Sequence, residues 1–132
     1  MSATFGSQSM VDPLRRVLVR RPDESFAVAD PAAWNYASRP DLEAAQREHD
    51  ALVATLGEAG VEVLYHDERQ NGRADAIFVY DPVLMTGQGA IVLSPGKELR
   101  RGEEDALARR LQSLGIPLLD SLDGDARAEG GD

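Results

Sequence analysis

Residues 75–103 read DAIFVYDPVLMTGQGAIVLSPGKELRRGE, and the fold turns on how this stretch is parsed. Two short apolar runs stand in it, 76–80 and 90–93, both carrying the β-branched or aromatic residues that favour strands. Thr86-Gly87-Gln88-Gly89 between them supplies turn residues, so the pair reads as a hairpin. Positions 75, 77, 79 and 81 share one parity. A regular strand would therefore put Asp75 and Asp81 on one face, with Phe78 and Tyr80 on the other. Asp81 precedes Pro82, which biases it toward extended geometry and marks the strand end. Carboxylates at strand ends are a common ligand-binding placement in α/β folds.

Downstream, 94–97 reads as a loop and the residues after Leu99 as the start of a helix. Acids in a first helical turn suit the dipole, but Arg100 and Arg101 stand at its electropositive end. Either a carboxylate from the protein or a ligand takes them, in the bidentate manner open to arginine, or they are a solvated loop pair.

Working outward, Val17-Leu18-Val19 reads as a first strand ended by Pro22. Residues 23–40, with their prolines and no surviving period, read as a long loop that Trp34 and Tyr36 plug onto the core. Residues 41–59 predict a helix. Asp41 is its N-cap and Gly60 its C′ residue, and Leu42, Ala45, Leu52, Val53 and Leu56 form its apolar stripe. His49 falls on that stripe as a core-edge histidine, with no second metal-type ligand spaced to meet it. A strand at 61–65 and a turn at Asn71-Gly72 follow. Beyond the hairpin come a helix over 102–114, stopped by Gly115, and a strand at 116–119. Helix-then-strand thus occurs twice, an internal structural repeat in an α/β fold. Residues 120–132 read as a frayed acidic tail, except that Gly130-Gly131, flanked by Glu129 and Asp132, suggests part of a site.

Composition narrows the function classes. The 132 residues suffice for one ordinary domain, and 42% hydrophobic with 28% charged content is globular rather than disordered. A net charge of −9, with no basic cluster beyond Arg-Arg, argues against nucleic acid as partner. No apolar run approaches the roughly 18 residues of a membrane span, and residues 1–13 lack a signal-peptide layout, so the expected location is the cytoplasm. The absence of cysteine excludes disulfides, thiolate metal sites and a cysteine nucleophile from these residues. No cofactor or metal is expected.

FVYDP at 78–82, SPGKELRRGE at 94–103 and EGGD at 129–132, in that order, resemble the N-terminal half of the guanidine-modifying enzymes. These include dimethylarginine dimethylaminohydrolase, arginine deiminase and the amidinotransferases, and the dimethylargininase-like members match best. SMVDPLRRVLVRRP at 9–22 and the helix after Asp41 fit the same pattern. The resemblance implies the pentein fold, an α/β propeller of ββαβ modules. About two modules lie in residues 1–132, taken as a single partial domain. It also implies a small-molecule guanidine substrate, arginine or methylated arginine. A planar cation with a fork of N–H donors wants in-plane carboxylates and an aromatic face. By the resemblance Asp81 is the motif aspartate, Glu129 the acidic catalytic residue and Phe78 a pocket wall. Arg100 takes the carboxylate end of the substrate, and Asp75 is a further substrate-binding carboxylate. The family's attacking cysteine and its proton-transferring histidine lie beyond these residues. The chain by itself is therefore expected to be an inactive fragment, completed by a C-terminal half or a second chain. An amidinotransferase part and a short non-catalytic binding module are the competing readings.

Overall fold

The computed structural model describes residues 5–27 and 30–132, which fall into two compact units. In the Leu14–Phe78 unit, Arg16–Val19 forms β1 as expected. The segment read as a plain loop instead holds two single-turn helices, α1 (Glu24–Ala27) and α2 (Pro31–Trp34). Local chemistry explains the second. Asp30 accepts the Ala32 N–H at 3.1 Å, Pro31 presets the first helical φ, and Asn35 closes the turn in the left-handed region at φ 60°. Trp34 is buried with Ala74, and Tyr36 packs against them, so the aromatic pair does seat this stretch.

The main helix of the unit, α3 (Leu42–Glu58), starts where Asp41 accepts the Ala44 N–H at 3.0 Å. It ends before Gly60, which takes φ 81°. It carries the chain over to β2 (Glu62–Tyr65), parallel to β1 with Val17 opposite Val63. No α3 residue is fully buried: the stripe rests on the two-stranded sheet without being enclosed. His49 lies on it, 6.5 Å from the Tyr65 ring. Burial holds its pKa below the ordinary imidazole value, the opposing pull of Asp50 notwithstanding.

The decisive stretch departs from its expected form. Residues 76–80 are not a strand. Ala74–Ile77 is a 3₁₀ helix, with Ala74, Asp75 and Ala76 buried, and Phe78 donates its N–H to the Asp75 carbonyl at 2.9 Å. Alanine and aspartate are poor strand formers, and the Asp75 carboxylate finds its partner in the Tyr36 hydroxyl at 2.5 Å. Asp75 and Asp81 consequently share no strand face.

The second unit comprises residues 79–132 with the N-terminal segment. Its hairpin starts after Pro82: β3 (Val83–Met85) pairs antiparallel with β4 (Ala90–Val92), Met85 opposite Ala90. The expected turn residues, 86–89, join them. The Thr86 hydroxyl donates to the Gly89 carbonyl at 2.8 Å and accepts the N–H groups of Gln88 and Gly89. A second 3₁₀ turn (Glu98–Arg100) leads into α4 (Glu103–Ser113), which returns the chain to β5 (Leu118–Ser121), parallel to β4. Helix α4 packs across all three strands through Ala106, Leu107 and Leu111, all buried. Strand, helix, parallel strand thus recurs in both units: β1–α3–β2 and β4–α4–β5 are the repeat legible in the sequence.

Candidate active site

Within the 79–132 unit the structure gathers Asp81, Arg100, Glu103 and Glu129. Asp81 stands at the entrance to the hairpin. Pro82 behind it cannot donate a hydrogen bond, and its carbonyl accepts the Leu93 N–H at 2.8 Å, so the backbone there is anchored to the end of β4. The tail is equally held. Ala128 bridges to Ser94, its N–H to the Ser94 carbonyl at 3.0 Å, and Gly130 donates to the Asp81 carbonyl at 2.9 Å. A frayed acidic tail is therefore the wrong picture for residues 128–132. The Gly130 backbone approaches Tyr80 so closely that an added Cβ would lie 2.2 Å from the Tyr80 carbonyl oxygen. The glycine serves a close approach to the chain's own backbone, and Glu129 is aimed by it.

Arg100 is the hub. It is 5% exposed, and Glu103 Oε2 accepts from its Nε at 2.9 Å and lies 2.8 Å from its Nη2. Its Nη1 donates to Asp81 Oδ2 at 2.7 Å and lies 3.6 Å from Glu129 Oε1. Burial alone would lower the Arg100 pKa. The bonds to Glu103 and then Asp81 more than offset it, raising the pKa above its ordinary value, so the guanidinium stays charged. Of the two arginines at the helix start, Arg100 thus has its carboxylate within the protein, while Arg101 is exposed.

Sequence reasoning counted Glu103 only as a first-turn acid, although it is 1% exposed. The signal was its spacing, three residues after Arg100 with Gly102 between. Asp75 and Phe78, expected with the others, belong to the Leu14–Phe78 unit, where Asp75 holds the Tyr36 hydroxyl and Phe78 is half exposed. Two clefts, of about 510 and 240 Å³, are lined around Asp23 and Asp67 of that unit, and none of the expected site residues lines either. Among the described residues no group of three or more His, Asp and Glu could hold a metal ion, and no helix is long and apolar enough to cross a membrane.

The family described as N,N dimethylarginine dimethylhydrolase, eukaryotic, matches residues 31–131. The chain belongs to this family. N(G),N(G)-dimethylarginine dimethylaminohydrolase of Pseudomonas aeruginosa is 30% identical over 120 residues, covering 89% of the chain and 45% of that protein. A structure of the Pseudomonas aeruginosa enzyme, a mutant complexed with citrulline, superposes with a TM-score of 0.73 at 27% identity, over 90% of the chain and 46% of that structure. A mutant of AgrE with L-arginine shares the fold, at 22% identity and a TM-score of 0.73, over 89% of the chain and 17% of its own. The chain spans under half the length of the curated dimethylargininase it matches, 45%. The two βαβ repeats accordingly belong to a partial α/β propeller of the family's kind.

Because Gly130 carries the geometry, Gly130→Ala is expected to destabilise the unit by about 1–3 kcal/mol, as overpacking against backbone does. Thermal unfolding of the variant against the parent checks this; an unchanged midpoint would mean that the tail is not held as described.

Proposed function

We propose that this chain forms the guanidinium-gripping part of a hydrolase acting on guanidino C–N bonds of arginine derivatives, dimethylargininase-like and yielding citrulline. The observation that carries the reading is the convergence of Asp81 and Glu129 on a single guanidinium, that of Arg100, at 2.7 and 3.6 Å. Asp81 and Glu129 bring two carboxylates to the one positive charge of Arg100. That excess suits a second guanidinium, the one on the substrate. In this reading Asp81 binds the substrate cation and Glu129 is the acidic catalytic residue. Arg100 takes the carboxylate end of the substrate, the role that the family resemblance implies for it. Phe78 supplies an aromatic face and Asp75 a further carboxylate, roles that the family resemblance assigns to them. The substrate is a free arginine or methylated arginine, and the work is cytoplasmic. The attacking thiol and the histidine come from a C-terminal half or a second chain, since residues 1–132 contain no cysteine.

Binding tests it. Asp81→Asn keeps the shape and removes a charge, so affinity for arginine analogues should fall by about 1.5–3 kcal/mol, roughly 10- to 150-fold. Calorimetry with L-arginine and dimethylarginine reads the difference. Equal affinity in parent and variant would move the pocket elsewhere.

A further inference from the structure

We infer that Glu103 is a positioning residue, whose buried carboxylate grips the Nε–Nη2 edge of Arg100 and so turns the Nη1 edge to Asp81 and Glu129. This role presupposes the guanidine-binding reading of those two acids. Glu103 meets Nε and Nη2 at 2.9 and 2.8 Å, and Asp81 and Glu129 meet Nη1 at 2.7 and 3.6 Å. Nε and Nη2 both meet the one oxygen Oε2, which restrains the planar fork along that edge and so favours one direction for the other. The helix dipole does not account for Glu103. That interaction is weak and acts on exposed acids just as well, whereas taking a carboxylate to 1% exposure is unfavourable unless a cation meets it. The end of α4 has other acids for that purpose. Glu104 accepts the Gly102 N–H at 2.8 Å, and Asp105 is exposed in the same turn.

The backbone shows how the pair is made. Gly102 takes φ 101°, a left-handed conformation that side-chain-bearing residues rarely adopt. The reversal there starts α4 immediately after the 3₁₀ turn, so a side chain in its first turn folds back over Arg100. Remove the charge from Glu103 and the hold on the far edge of the Arg100 fork weakens from a charge-assisted bond to a neutral one. Asp81 and Glu129 then face a less firmly directed cation, and a ligand guanidinium competes with it on worse terms.

The test is Glu103→Gln in the full chain, a change of charge at nearly constant size, with two readouts at a temperature where parent and variant are both folded. One is hydrogen exchange of the Arg100 Nε–H, followed by ¹⁵N–¹H spectroscopy; the other is the dissociation constant for L-arginine and dimethylarginine. Loss of a charge-assisted bond should accelerate the exchange at least about tenfold and weaken binding about tenfold, although Glu103 is assigned no ligand contact. A residue that merely stabilised the helix would lower the melting temperature and leave both readouts where they were, which would overturn the assignment. If the parent itself binds neither guanidine, the proposed function fails, and the exchange rate alone still decides Glu103. Should the glutamine variant not fold, Glu103→Asp withdraws the charge by one methylene and is expected to move both readouts in the same direction. Unchanged exchange there counts equally against the role.

Discussion

Arg100→Ala is expected to cost the chain about 3–5 kcal/mol of stability, the penalty for stranding buried charges by removing their partner. The reason lies in what stays behind. Glu103 is 1% exposed and would lose the Arg100 guanidinium at 2.8 Å, and Asp81, about a quarter exposed, would lose its 2.7 Å partner. Two like charges then share a small, poorly solvated space. Arg100→Lys is expected to fall between parent and alanine. It keeps the positive charge, but a lysine ammonium cannot span two carboxylates along two edges of a plane as Arg100 does. Urea unfolding of the three proteins measures the series. A loss below about 1 kcal/mol for alanine, the value of an exposed pair, would mean the cluster is a surface ion pair and no buried hub.

The second large effect is catalytic. The 132-residue chain is expected to form no citrulline from dimethylarginine or arginine. The guanidinium carbon is a resonance-stabilised, poor electrophile, so attack needs a strong nucleophile as well as positioned proton transfer. Asp81 and Glu129 can hold the cation, but orientation without attack leaves the bond intact. No cysteine is present, and the two histidines, His49 and His66, belong to the Leu14–Phe78 unit. Burial keeps the first of these below its ordinary pKa. Joining the chain to a family C-terminal half that bears a cysteine and a histidine should restore turnover, and Asp81→Asn should then reduce it. Citrulline from the purified chain alone would overturn the assignment of the nucleophile. Silence from the joined protein would favour an amidinotransferase, which passes the amidino group to an amine.

Much of the fold was legible because local rules decide it. Asp41 and Gly60 bracket α3, Gly115 follows α4, and Thr86 to Gly89 turn the hairpin, each through capping or turn chemistry that acts within a few residues. Motif order alone was enough to point to the guanidine-modifying family. Misreadings arose where short windows carry two meanings. Residues 74–77 became a 3₁₀ helix because burying Ala74 beside Trp34 and placing Asp75 under the Tyr36 hydroxyl outweigh the β preference of a five-residue run. The hairpin arm accordingly moved to Val83–Met85, where Pro82 and the Leu93 N–H set the register.

The sequence by itself determined the α/β repeat and the family, and it singled out Asp81, Arg100 and Glu129 as candidates. Only the tertiary structure decided that Arg100 lies between Glu103 on one edge and Asp81 and Glu129 on the other. These four residues come from a hairpin entrance, a 3₁₀ turn, a helix start and the tail, up to 48 positions apart in the chain. Spacing within any one element says nothing about such a meeting. It is brought about by the residues just after β4, where Leu93 anchors Pro82 and Ser94 anchors the tail, and by Gly130, whose missing side chain lets the last residues close onto Tyr80.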